Sequence, residues 1–136
     1  MSDSSKILSL VASGSAMYTR KVSVSKDPDF LKVVDKLRDA DVSFMNFEGQ
    51  IGHPDAYPIK PYSFASYFFG EKWIAKEYAW TGFNLTSLAN NHMNDWSHHA
   101  IEESMKQLDD AGIVYAGAGM NLTAAREPGY LDTPNG

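Results

Sequence analysis

Val42-Ser43-Phe44-Met45-Asn46-Phe47, followed at once by Glu48-Gly49, is an apolar run that breaks into a carboxylate and a glycine. It reads as a strand, and two other stretches repeat its plan. Ile7 to Ser13 (ILSLVAS) is a short apolar run ending at Gly14, the pattern of a buried strand. Phe83 to Leu88 is a third strand, and the polar sequence Asn90-Asn91-His92-Met93-Asn94-Asp95 follows it.

Helical patterns lie between these strands. Asp27-Pro28 supplies an N-cap and a proline at the first helical position, and Phe30, Val33, Val34 and Leu37 then recur at helical spacing. This predicts an amphipathic helix over 28–39. Glu71 to Trp80 reads as a short helix. Residues 98–111 make another, with Ile101, Met105 and Leu108 on one face and Gly112 as its stop. Ile113 to Ala116 reads as a fourth strand and Asn121 to Arg126 as a helical turn. Residues 49–70, rich in glycine, proline and aromatics, read as a long irregular loop. Tyr130 to Thr133 reads as a further strand, and Pro134-Asn135-Gly136 as a hairpin turn with no strand after it. The expectation is an α/β fold: one domain over 1–136, with a mixed, mostly parallel sheet flanked by helices, truncated at its C-terminal side.

Composition sets the outer limits. The chain has 136 residues, 43% hydrophobic and 21% charged, ordinary values for a globular domain with a core. A net charge of −5 and the lack of any Lys/Arg run argue against nucleic-acid binding. There is no cysteine, which removes disulfides, thiolate catalysis and cysteine-based zinc sites. The start carries Asp3 and a single lysine before a short apolar run, unlike a secretory leader, so the chain as written is expected to be cytoplasmic. No stretch approaches the ~20 apolar residues of a membrane helix.

In an open α/β sheet, ligands bind beyond the carboxyl ends of the strands. Three parallel strands would deliver Gly14-Ser15, Asn46 to Gly49, and Asn90 to Asp95 to one edge. Glu48 offers carboxylate oxygens, Asn91 an amide oxygen, and His92 an imidazole able to ligate or to carry a proton. Such a set suits Mn, Mg, Fe or Zn without choosing among them. A divalent ion there would polarise a phosphoryl oxygen and activate water. Each residue also has a structural reading. Glu48 fits a solvated loop carboxylate, Asn90 and Asn91 fit turn residues, His92 fits a hydrogen-bonded loop histidine, and Asp95 fits a helix cap. His98 and His99 read as surface residues. The aromatic cluster (Tyr57, Tyr62, Phe64, Tyr67, Phe68, Phe69, Trp73, Tyr78, Trp80) reads as core before it reads as a groove wall.

Several of these blocks together resemble a known family. Ser87-Leu88-Ala89-Asn90-Asn91-His92-Met93-Asn94-Asp95 is similar to the "sLANNHxxD" block of CapA-type proteins. These form the poly-γ-glutamate capsule-biosynthesis branch of the calcineurin-like metallophosphoesterases. Asn46-Phe47-Glu48-Gly49 resembles the family's "NLE" block, and Gly14 to Arg20 its "GDxMxxR" opening. Leu108 to Ile113, Gly117 to Leu122 and Ala125 to Pro128 follow in the family's order. The resemblance implies the N-terminal half of a four-layer α/β sandwich acting on a phosphoester or an anionic polymer. It implies Glu48 and Asn91 as metal ligands and His92 as the catalytic group, with Ser15, Asn46, Asn90 and Asp95 lining the site. Ser15 departs from the family, which has aspartate there, and a hydroxyl anchors a divalent cation far less well. The alternatives are a metal-dependent hydrolase in the full-length parent with this chain alone inactive, a non-catalytic binding scaffold, and a fragment with no activity of its own. A truncated domain would also self-associate through an exposed sheet edge.

Overall fold

A computed structural model describes residues 7–59 and 68–136. The readings made for the first six residues and for Tyr62, Phe64 and Tyr67 lie outside them. The architecture is α/β: β1 (Leu10–Ala16), α1 (Pro28–Asp39), β2 (Val42–Phe47), β3 (Gln50–Ile51), β4 (Phe69–Gly70), α2 (Trp73–Thr81), β5 (Leu85–Ser87), α3 (Ser97–Ala111), β6 (Val114–Ala116) and α4 (Leu122–Arg126). The main sheet runs β1-β2-β5-β6, and every strand pairing among the described residues is parallel.

The order of the strands follows the order of the chain, so crossovers of one hand place their helices on one face. α2 accordingly packs against both α1 and α3. Beneath them, Met45 and Phe47 of β2 meet Leu37 of α1, Ile74, Ala75 and Tyr78 of α2, and Ile101 and Leu108 of α3. Side chains two residues apart share a face. Met45 pairs in register with Thr86, and both are buried. The opposite face carries the row Ala12, Phe44, Leu85 and Val114, all exposed or half-buried.

α1 starts where its sequence says it should, with the Asp27 carboxylate accepting the amide N–H groups of Asp29 and Phe30, each at 2.9 Å. Val34 and Leu37 are buried as its periodicity requires, but Val33 is half exposed.

Four expectations need correction. β1 is shifted toward Ala16 and is not a buried strand: it is the sheet's edge, Ala16 is its one buried residue, and Leu10 is 61% exposed. Its apolar sequence is satisfied only along the β2 side. Tyr130–Thr133 forms no strand. It follows Pro128, which has no N–H to give a ladder, and Thr133 and Gly136 bond each other across a turn instead. The loop over 49–70 is not wholly irregular, because β3 and β4 pair within it and Ile51 is fully buried. The aromatic cluster is divided: Tyr78 is core, whereas Tyr57 and Phe69 are largely exposed.

Candidate functional site

The carboxyl ends of β1, β2 and β5 meet at one edge, and a bulge in β1 determines what that edge presents. Leu10, Val11 and Ala12 pair with Val42, Ser43 and Phe44, but Ser15 then pairs with Asn46, so β1 spends one extra residue around Gly14. An extra residue reverses which face the following side chains take. Without it, Ser15 would turn toward the helices. With it, Ser15 joins Asn46 on the open face, where its hydroxyl donates a short hydrogen bond to Glu48 Oε2. Asn46 Nδ2 lies 3.2 Å from Ser15 Oγ and 3.4 Å from Glu48 Oε2.

The turn after β5 closes on this carboxylate. Asn90 Nδ2 donates to the Phe47 carbonyl at 2.8 Å and toward Asn46 Oδ1 at 3.3 Å. Its Oδ1 accepts the His92 amide at 2.9 Å. Asn90 thus fastens the turn to the end of β2 and sets where His92 stands. His92 Nδ1 lies 2.7 Å from Asp95 Oδ2, and His92 Nε2 lies 3.6 Å from Glu48 Oε1. Asp95 is fully buried. An ionised carboxylate only accepts, so its contact assigns the proton to Nδ1 and turns Nε2 toward Glu48. The edge of Phe68 packs on the imidazole, with ring centroids 4.6 Å apart.

The structure therefore brings Ser15, Asn46, Glu48, Asn90, His92 and Asp95 into one connected set. Asn91 stands exposed on the same turn, between Asn90 and His92. The N-cap position of α3 falls on Trp96, one residue past Asp95. His98 and His99 are exposed, and His99 stacks on His53 at 5.5 Å, away from this set.

Two further residues give the site its frame: Gln50, which the sequence did not single out, and Gly49, which it placed at the edge without saying why. Gln50 is buried; its Oε1 accepts the Trp96 amide at 2.6 Å and its Nε2 donates to the Ser97 carbonyl at 3.3 Å. It pins the start of α3 to β3. Gly49 has φ +139°, and a Cβ there would lie 3.0 Å from the Cβ of Phe68, so a side chain would push Phe68 off His92. Beside Glu48 a small cleft of about 60 Å³ opens between Met17, Tyr18, Phe47, Phe68, Phe69 and Tyr78.

Glu48 and His92 offer two facing donors, and Glu48 Oε2 already accepts from Ser15 and Asn46. A structural zinc takes four ligands and harder ions take six or more. Among the described residues, no three His, Cys, Asp or Glu side chains are grouped to hold an ion. By these residue types the edge supplies two facing donors, fewer than an ion of either kind takes. What they can do is accept a proton, or a hydrogen bond from an O–H group, at Nε2 of an oriented imidazole. Among the described residues, no helix is long and apolar enough to cross a membrane.

Comparison with known proteins gives the chain its relatives. It is 32% identical over 130 residues to each of two uncharacterized proteins of Sinorhizobium fredii, y4sH and y4uA, covering 93% of this chain. The chain spans 28% of the length of these curated relatives. Residues 9–136 match the family model of the bacterial capsule synthesis protein PGA_cap, and the chain belongs to that family.

Proposed function

We propose that this chain forms one half of the reaction edge of a hydrolase of capsule synthesis, acting on phosphoester or related bonds in an anionic envelope polymer such as polyglutamate. The observation that carries the reading is the Asp95–His92–Glu48 alignment, with 2.7 Å and 3.6 Å between successive groups. Asp95 holds Nδ1, fixing the tautomer and the ring plane. Nε2 is then the atom that takes a proton from an attacking water or returns one to a leaving oxygen. Glu48 sits opposite, 3.6 Å from Nε2, on the side where the reacting oxygen would lie. A divalent ion would need donors beyond these residues, and no step here depends on one.

The other half of the edge is proposed to come from elsewhere in a longer protein. A parallel sheet is normally covered on both faces. The open row of Ala12, Phe44, Leu85 and Val114, the exposed edge of β1 and the length of the relatives all support a second layer over that face. Left uncovered, the same surface is expected to drive self-association.

One observation favours the scaffold reading. Ser15 occupies the position at which the family resemblance places an acid, and its hydroxyl is spent on Glu48. On this reading the edge binds polymer without cleaving it.

The test is an assay of an activated phosphodiester, with and without Mn²⁺, run on a full-length protein that contains this half, as the wild type, His92→Asn and Ser15→Asp; the 136-residue chain alone is expected to be inactive. The hydrolase reading expects turnover in the wild type and a loss of about a hundredfold or more in His92→Asn, the usual weight of an acid–base group. Activity appearing only in Ser15→Asp, with polymer binding intact in the wild type, would establish the scaffold instead.

A further inference from the structure

The loop that leaves β1 is built with more care than a connection needs. Residues 17–27 depart from the same carboxyl edge that carries Glu48 and His92, since β1, β2 and β5 run parallel. Glu77 of α2, itself buried, gives both of its oxygens to this loop. Oε2 accepts the amides of Val22 and Ser23, each at 2.7 Å, and Oε1 accepts the Ser23 hydroxyl at 2.7 Å. Tyr18 adds a second tie, its hydroxyl donating to Thr81 Oγ1 at 2.9 Å. Ser25 N–H closes a turn on the Val22 carbonyl at 2.9 Å. Sinking a carboxylate into the protein is costly unless it is fully hydrogen-bonded, and here the bonds are spent on fixing one surface loop.

What that loop displays is positive charge. Arg20, Lys21 and Lys26 lie within seven residues and are exposed, in a chain whose net charge is −5. The acids nearby are already committed: Glu77 faces inward, and Asp27 Oδ1 caps α1. Among the described residues, no ion pair within 4 Å engages Arg20, Lys21 or Lys26, although the charge of Lys21 reaches Glu77. Arg20 and Lys21 border an open depression that continues over Val22, Val24, Ser25 and Phe30, with the helix-capping Asp27 at its margin. A cationic rim over an apolar floor suits a chain of methylene groups bearing carboxylates. It is less suited to a free inorganic ion, which would leave Val24 and Phe30 unused.

We propose that the 17–27 loop is an oxyanion subsite in which Arg20 and Lys21 hold acid groups of a carboxylate-bearing polymer beside the Glu48–His92 edge. The assignment names the polymer of the function proposed above and rests on that reading for its substrate class. The loop's rigidity sets the polymer's register, because the cations do not have to be ordered on binding.

The experiment is an NMR titration of the ¹⁵N-labelled chain at low salt with a short oligoglutamate, with oligoglutamine as neutral control and inorganic phosphate as a third probe. Amide shifts confined to 17–30 with oligoglutamate are expected, with little response to oligoglutamine. The double variant Arg20→Gln/Lys21→Gln is expected to weaken binding about tenfold, and raising salt toward physiological strength to weaken it further. Arg20→Lys/Lys21→Arg should bind as the wild type does, which separates loss of charge from damage to the fold. Glu48→Gln should also bind normally, so a catalytically silent edge leaves this proposal standing, while a failed loop leaves the edge standing. Equal response to oligoglutamine, shifts elsewhere than 17–30, or no effect of the double variant would overturn it. A response to phosphate without one to oligoglutamate would overturn the polymer assignment.

Discussion

β1 and β2 are neighbours in one parallel ladder, and their fates differ. Four of the six residues of β2 are buried, against one of the seven in β1. Both are apolar runs of similar length, so hydrophobicity alone does not separate them. Position does: β2 lies under the helices between two partners, while β1 has a partner on one side only. The lesson is that this domain keeps its stability on one side of the sheet and its chemistry on the other. Met45 and Phe47 point into the core, and between them Asn46 points to Ser15 and Glu48.

The sharpest way to break that contrast is a matched pair of truncations. Met45→Ala, at a fully buried position, is expected to cost about 2–5 kcal/mol. Leu10→Ala, on the exposed edge, is expected to cost less than about 0.5 kcal/mol. Urea denaturation of both variants checks this, and similar costs would mean that β1 is covered in solution.

Glu77 ties the β1 side to the helix side. Burial works to raise its carboxyl, but the Ser23 amide and hydroxyl, the Val22 amide and the charge of Lys21 outweigh burial and hold it below its ordinary 4.5. A depressed carboxyl stabilises the fold fully above its unfolded value and loses that contribution as pH falls through the lower folded value. Glu77→Ala, which strands the loop's amides, should cost about 1–3 kcal/mol near neutral pH. It should also flatten part of the acid limb of the stability curve, read from denaturation midpoints at several pH values.

Ser97 offers a smaller effect of opposite sign. It has φ +76°, and its buried hydroxyl has no hydrogen-bond partner among the described residues. Glycine removes both penalties and adds some unfolded-state entropy, so Ser97→Gly is expected to stabilise by about 1 kcal/mol. A loss of stability would mean that the hydroxyl is bonded in solution.

The covered side of the molecule was the more legible in sequence. Asp27-Pro28 and the spacing of Val34 and Leu37 announced α1, and Gly112 announced the end of α3 in a left-handed cap. Convergence of Ser15, Glu48 and the Asn90–Asp95 turn at one edge followed from parallel strands alone. The open side was less so. Hydrophobic runs report that a strand exists, and they say nothing of whether a neighbour covers it, so β1 read as buried. The extra residue that turns Ser15 onto the site leaves no periodic trace in a stretch as short as Ser13-Gly14-Ser15. Two-residue strands such as β3 and β4 have no period at all. Gln50 and Glu77 were invisible for a different reason: their partners are backbone amides far away in the chain.

The central claim is that Asp95 fixes His92 with Nε2 toward Glu48, and imidazole ¹⁵N NMR reads it directly. The account predicts a proton on Nδ1 of His92 in the neutral ring, with that preference lost in Asp95→Ala. A His92 ring protonated on Nε2 instead, or one indifferent to Asp95→Ala, would contradict it.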